Sequence, residues 1–179
     1  MSIGLLLLRL AVGLTLAAHG AQKLFGWFGG PGLAAIGPVM EQLGFVPGRR
    51  SAFLAGLAET GAGLLLALGL LTPLAAAIVF AVMLVAGVSA HLERGFFLAT
   101  GGYEYTLILA VSGLSLAFTG PGRLSLDSLV GLDVSGVRWG LAALLVGLAG
   151  SSIQLAGRHR TAPSPQTAAA AARIDAHAA

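Results

Sequence analysis

Cysteine is absent from the 179 residues, which excludes a disulfide framework, an iron–sulfur cluster and a dithiol relay within this chain. Charge is nearly as scarce, at 9% of residues, against about 25% in an ordinary soluble domain. With 56% hydrophobic residues and a mean hydropathy of +0.90, too few polar groups remain to keep the surface in water, and lipid is the surface's natural neighbour. Strand-like alternation is also missing, which argues against a membrane barrel. The net charge of +3 comes from basic residues scattered between apolar runs. They form no dense stripe, so they read as topology signals and imply no nucleic-acid partner.

Five apolar stretches are present, and each is near the roughly 17–25 residues that cross the hydrocarbon layer as a helix. They cover 3–24, 51–71, 73–91, 103–118 and 137–156. Pro73 suits a first helical turn, and Thr119-Gly120-Pro121-Gly122 closes the fourth stretch. The N-terminus lacks the basic start of a secretory signal and reads as a retained helix. The 27 glycines would weaken soluble helices but let membrane helices approach closely. Gly29-Gly30-Pro31-Gly32 and Gly101-Gly102 lack the context of a nucleotide loop and read as turns.

Five crossings place Lys23, Arg49, Arg50, Arg94, Arg158, Arg160 and Arg173 on one face and Arg123 and Arg138 on the other. That bias predicts a cytoplasmic Lys23 face, with the C-terminus inside. Arg9, within the first helix, is expected to snorkel to the far face. An internal echo at an offset of 72 residues aligns His19 with His91, Phe25 with Phe97 and Gly29-Gly30 with Gly101-Gly102. It predicts two helical hairpins of like orientation.

The same topology gathers a polar cluster in one half of the bilayer: His19, Gln22, Lys23, Glu59, His91, Tyr103, Glu104 and Tyr105. Glu59 is the central group, because a carboxylate inside an apolar span is costly unless paired, protonated or hydrated. Lys23, His19 and His91 are all candidate partners, and His19, Glu59, His91 and Glu104 are expected to face the bundle interior. Two histidines and two glutamates could ligate a metal, but no tight motif such as H-x-x-x-H is present, and no metal is assigned. Phe25, Trp27, Phe28, Phe96, Phe97, Tyr103 and Tyr105 fit an interfacial aromatic belt. They would equally suit a pocket for a flat quinone ring.

The run from His19-Gly-Ala-Gln-Lys-Leu-Phe-Gly-Trp-Phe-Gly-Gly-Pro to Gly32 resembles the first signature of the DoxX family of small bacterial membrane proteins. Leu57-Ala58-Glu59 is similar to the second. The segments from His91 to Tyr105 and from Thr119 to Asp127 resemble the third and fourth. The resemblance implies an all-α, polytopic fold in the bacterial inner membrane, with a four-helix transmembrane bundle over 1–127. A connecting loop and a fifth transmembrane helix, over 128–156, depart from the usual four. Gly136/Gly140 and Gly147/Ser151 suit its close packing on a neighbour. A mobile cytoplasmic tail is expected over 157–179. The resemblance further implies a subunit associated with an oxidoreductase assembly, with quinone as the candidate cofactor and a soluble redox enzyme as partner. A non-catalytic anchor and a small-molecule or lipid carrier are the alternatives, and a homo-oligomer is compatible with all three. The resemblance assigns no catalytic residue.

Overall fold

A backbone N–H or C=O left unpaired in hydrocarbon costs several kcal/mol, so an apolar chain crosses a bilayer as helices that satisfy their own backbone. The structure, a computed structural model, describes residues 2–159 and contains no strand among them. Its helices are α1 (Ser2–Phe25), α2 (Gly32–Gln42), α3 (Gly48–Leu68), α4 (Thr72–Ala86), α5 (Glu104–Thr119), α6 (Leu126–Leu129) and α7 (Val137–Ala156). α4 runs on through a π-turn, Gly87–His91, and a 3-10 turn, Leu92–Arg94. α1, α3, the continuous run Thr72–Arg94 and α7 are long and apolar enough to span a membrane. α5 has 16 residues, or about 24 Å, and covers most of a hydrocarbon core of roughly 30 Å.

α7 runs the length of the bundle. Its first turn is tied to α5 by Gly136 N–H donating to the Phe118 carbonyl at 2.9 Å, while beyond its last turn His159 N–H donates to the Gly44 carbonyl at 2.9 Å. One end of the bundle therefore carries Lys23, Arg49, Arg50, Arg94 and Arg158, and the other carries Arg9, Arg123 and Arg138. Arg160, Arg173 and all but the first three residues of the expected tail lie outside the described residues.

α2 is a departure from the expected loop. Eleven residues reach only about 16 Å, so α2 does not cross. It lies across the Lys23 end of the bundle and packs on α3. There the Gly48 N–H, an orphan donor at the start of α3, is satisfied by Glu41 Oε1 at 3.0 Å.

α1 and α3 form the first hairpin, α4 and α5 the second. Each passes through a 3-10 turn, Trp27–Gly29 or Leu98–Thr100, followed or ended by a glycine of positive φ, +74° at Gly29 and +80° at Gly101. This is the structural form of the echo, broken where α2 is inserted into the first unit alone. The two helices of the first hairpin meet backbone to backbone. A Cβ on Gly63 would stand 2.5 Å from the Gly13 carbonyl, and one on Gly20 would stand 2.6 Å from the Gly56 carbonyl. Gly63→Ala is expected to force the pair apart and cost about 1–3 kcal/mol, read as a lower unfolding temperature of the detergent-solubilised protein.

Inside the bundle Leu16, Leu66, Val79, Met83, Leu109 and Leu116 make the core. Three of the four small residues expected to pack α7 do so, Gly140 against the Phe118 ring, Gly147 against Ala77 and Phe80, and Ser151 buried, whereas Gly136 precedes the helix and a Cβ there would meet nothing. Leu14, Leu64, Leu145 and Ile153 point outward, where lipid covers them.

Candidate functional site

Glu59 is 3% exposed, and its partner is Lys23: Nζ donates to Oε2 at 2.5 Å. A carboxylate at this depth is costly unless it is paired, and the Lys23 ammonium supplies the pair. On the α5 side, His19 Nε2 and the Tyr105 hydroxyl are hydrogen-bonded at 3.0 Å, and the Tyr105 hydroxyl lies within electrostatic reach of Glu59. Three helices thus contribute to one polar centre.

A cavity of about 570 Å³ opens beside it. Ile36, Val39, Met40 and Leu43, one face of α2 at helical spacing, form its roof. α4 supplies the floor, α3 and α7 the sides. The space exists because small residues occur where leucine would fill it, notably Ala55, Ala58, Ala81, Ala86 and Gly150. Its walls are aliphatic apart from Phe45, with polar groups from Lys23, Glu59, Ser51, Ser89, His91 and Gln154. The π-turn at the end of α4 brings three of its residues, Ser89, Ala90 and His91, to the cavity wall, a common use of such turns. His91 Nδ1 is 2.7 Å from the Gly101 carbonyl. That contact makes Nδ1 the protonated nitrogen in the neutral ring and leaves Nε2 as an acceptor.

The rest of the expected cluster disperses. Gln22 Nε2 donates at 3.4 Å to the Phe28 carbonyl of its own loop. Glu104 does not face the interior: Oε2 accepts the Leu98 N–H at 2.9 Å and caps the 3-10 turn ahead of α5. Tyr103 packs edge-on against Phe96, 5.5 Å between ring centroids. Phe25, Trp27, Phe28 and Phe97 are exposed. Of the seven aromatics Tyr105 joins the polar centre, and none of the seven lines the cavity, whose single aromatic side chain is Phe45. Among the described residues no three His, Asp or Glu side chains are grouped to hold a metal ion.

A second polar centre lies at the opposite end. Arg9 does not snorkel; it is 1% exposed, and its two terminal nitrogens donate to the carbonyls of Pro121 at 2.7 Å and Leu124 at 2.6 Å. Asp127, fully buried, lies within its electrostatic reach. The Asp127 carboxylate accepts from Leu71 N–H at 2.7 Å, Thr72 N–H at 2.9 Å and Thr72 Oγ1 at 2.7 Å. These are the orphan donors at the start of α4, so Asp127 caps that helix from a distant segment. It also holds Leu71 at φ +49°, a conformation rare for a leucine. Gly69 gives Arg9 its space, since a Cβ there would sit 2.1 Å from Nη1. The sequence placed Asp127 at the end of the fourth signature and gave it no role. The available signal was a cation in the first span with no stated partner, and a carboxylate in a loop otherwise poor in acids.

Comparison with known proteins bears on the same stretch of chain. The DoxX family profile matches residues 4–92, about half the chain. The match takes in Lys23, Glu59 and His91 and stops short of the segments 95–105 and 119–127. None of the curated proteins and none of the solved structures matches.

Proposed function

The chain belongs to the DoxX family, and we propose that it serves as the membrane subunit of an oxidoreductase assembly, holding a quinone-class molecule in the cavity between α2, α3, α4 and α7. The observation that carries this reading is the aliphatic cavity joined to the Lys23–Glu59 pair and His91. An apolar space with a few polar groups is the usual form of a small-molecule site. The ion pair is internally neutral and selects a neutral head group over a charged one. Lys23, after its bond to Glu59, keeps two N–H donors for a carbonyl oxygen, and His91 Nε2 is free to accept from a hydroxyl. Quinone and quinol present these two groups. Reducing a quinone takes two electrons, and a chain without cysteine has no thiol to give them. A soluble redox enzyme is the partner this reading requires.

Purification in mild detergent, followed by mass spectrometry of copurifying proteins and extracted lipids, tests it. A quinone and a redox enzyme are expected together. Phospholipid alone, with no soluble partner, would favour the anchor or carrier alternatives. Gly150→Leu is the sharper probe. A Cβ there meets nothing nearer than the Ala81 methyl at 3.9 Å, so a larger side chain can be added to the cavity wall while Lys23 and Glu59 stay unaltered. Bound quinone per protein is expected to fall about tenfold, equivalent to about 1.4 kcal/mol, with the amount of protein in the membrane unchanged.

The Lys23 end is assigned to the cytoplasm, because five of the seven basic residues near the described helix ends lie there, Arg9 being internal. A C-terminal reporter active only outside the cell is expected to stay silent, and a strong signal would reverse the orientation.

A further inference from the structure

The segment joining α5 to α7 buries Asp127 and Val134 and exposes a run of apolar residues, with Ser128, Asp133 and Ser135 exposed among them. Asp127 turns inward, fully buried against the start of α4, and Ser125 Oγ is spent on the Gly122 carbonyl and on capping α6 through the Ser128 N–H. Leu129, two residues after Asp127, stands about 200° round the turn and is 79% exposed; Val130 is 62% exposed. Leu124, Leu132 and Val137 are exposed as well.

This apolar side is continuous with the lipid-facing surface of the bundle. A crevice of about 270 Å³ is lined by Leu71, Pro73 and Leu74 from the start of α4 and by Leu132, Asp133, Val134 and Trp139 from the segment leading into α7, with Asp133 its one charged residue. Leu74 belongs to a membrane-spanning helix and is half exposed, so acyl chains lie against it, and Leu132 faces it across the crevice. Trp139 fits the same depth. Its indole N–H donates to the Asp133 carbonyl at 3.1 Å, and the Arg138 guanidinium lies 5.9 Å from its ring centroid. A tryptophan with an adjacent arginine is a common anchor at the head-group level.

We propose that the segment from Leu124 to Val137 is immersed in the leaflet at the Arg9 end. There acyl chains cover Leu129, Val130 and Leu132, and Arg123, Asp133 and Arg138 reach the head groups. The crevice takes the end of one acyl chain. The segment is thus a membrane-contacting element, and Asp127 faces away from the lipid that the opposite side of the turn contacts.

The natural absence of cysteine makes the test direct. Leu129→Cys and Val130→Cys, each the sole thiol of the full chain, are labelled with a small fluorescent maleimide and reconstituted into phosphatidylcholine–phosphatidylglycerol vesicles. Leu145→Cys, in mid-α7, is the lipid-facing standard. Quenching by nitroxide-bearing lipid, labelled near the head group, is expected to reach at least half that seen with nitroxide at mid-chain for the Leu145 position, while aqueous iodide quenches little. Strong iodide quenching with weak lipid quenching would overturn the proposal and leave the patch as a water-facing surface for another protein. Weak quenching by both would overturn it in favour of contact with a second copy. Labelling in a second background, Trp139→Phe, keeps the result independent of tryptophan quenching of the dye.

Discussion

Glu59→Ala is expected to be the most damaging single change at the Lys23 end. It removes the partner of a Lys23 ammonium whose side chain is 19% exposed beside a carboxylate that is 5% exposed. Truncating one half of a buried pair costs about 3–5 kcal/mol, because the remaining charge stays buried without compensation. Membrane abundance should fall steeply. Glu59→Gln keeps the shape and an acceptor for the Lys23 N–H, so abundance should be close to normal. If Glu59 also handles protons for a bound quinone, this variant loses coupled activity while staying folded. Lys23→Met combined with Glu59→Leu should recover most of the stability lost in Glu59→Ala, since paired removal leaves no orphan charge. Normal abundance and activity in both single variants would reduce Glu59 to a bystander.

Asp127→Ala is expected to match it from the opposite end. The substitution orphans three donors at once, Leu71 N–H, Thr72 N–H and Thr72 Oγ1, and each buried donor left unpaired costs about 1–3 kcal/mol. It also removes the nearby negative charge from Arg9. The start of α4 would fray and Leu71 would relax from its left-handed conformation. Asp127→Asn, which keeps an acceptor oxygen, should lie between wild type and alanine. Thermal unfolding in detergent, with amide exchange at residues 71–75, would check the order. An Asp127→Ala variant as stable as wild type would show that water caps α4 instead.

Glu59 could be found from sequence because it is a carboxylate inside an apolar run, and burial makes that a strong signal. Its partner could not. The Gly13/Gly63 and Gly20/Gly56 contacts place His19 nearest the level of Glu59 on α1, with Lys23 about one turn beyond. The pairing is decided by direction and reach: His19 faces Tyr105 on α5, while the long lysine side chain leans back toward the N-terminus, as helical side chains do. Rotation of each helix about its axis is a tertiary property, and the low contrast between the faces of an apolar helix hides it. Glu104 shows the same limit, since it sits where a helix start needs a cap and spends its carboxylate there. α2 was hidden because Gly29-Gly30-Pro31-Gly32 reads as a turn and Gly37 and Pro38 disfavour a helix interior, although Ile36, Val39, Met40 and Leu43 carry a helical period. The cavity was not legible because it is made of what alanines leave empty. The four long apolar helices and the packing of α7 through Gly140, Gly147 and Ser151 were legible, since each depends on composition along one segment.

The burial of Arg9 has a consequence for biogenesis. The first helix leaves the ribosome with a guanidinium near one end of its span, and the carbonyls that will receive it belong to Pro121 and Leu124, 112 and 115 residues later. Translation at about 5–20 residues per second sets a delay on the order of ten seconds before those groups exist. Throughout that interval the cation must be held by lipid head groups, by water drawn into the bilayer or by the insertion machinery, and the amino-terminal helix cannot take up its final tilt. The molecule therefore closes late, when the segment following α5 folds back onto α1. A nascent chain halted before residue 121 should retain an Arg9 accessible to an aqueous reagent that the finished protein excludes.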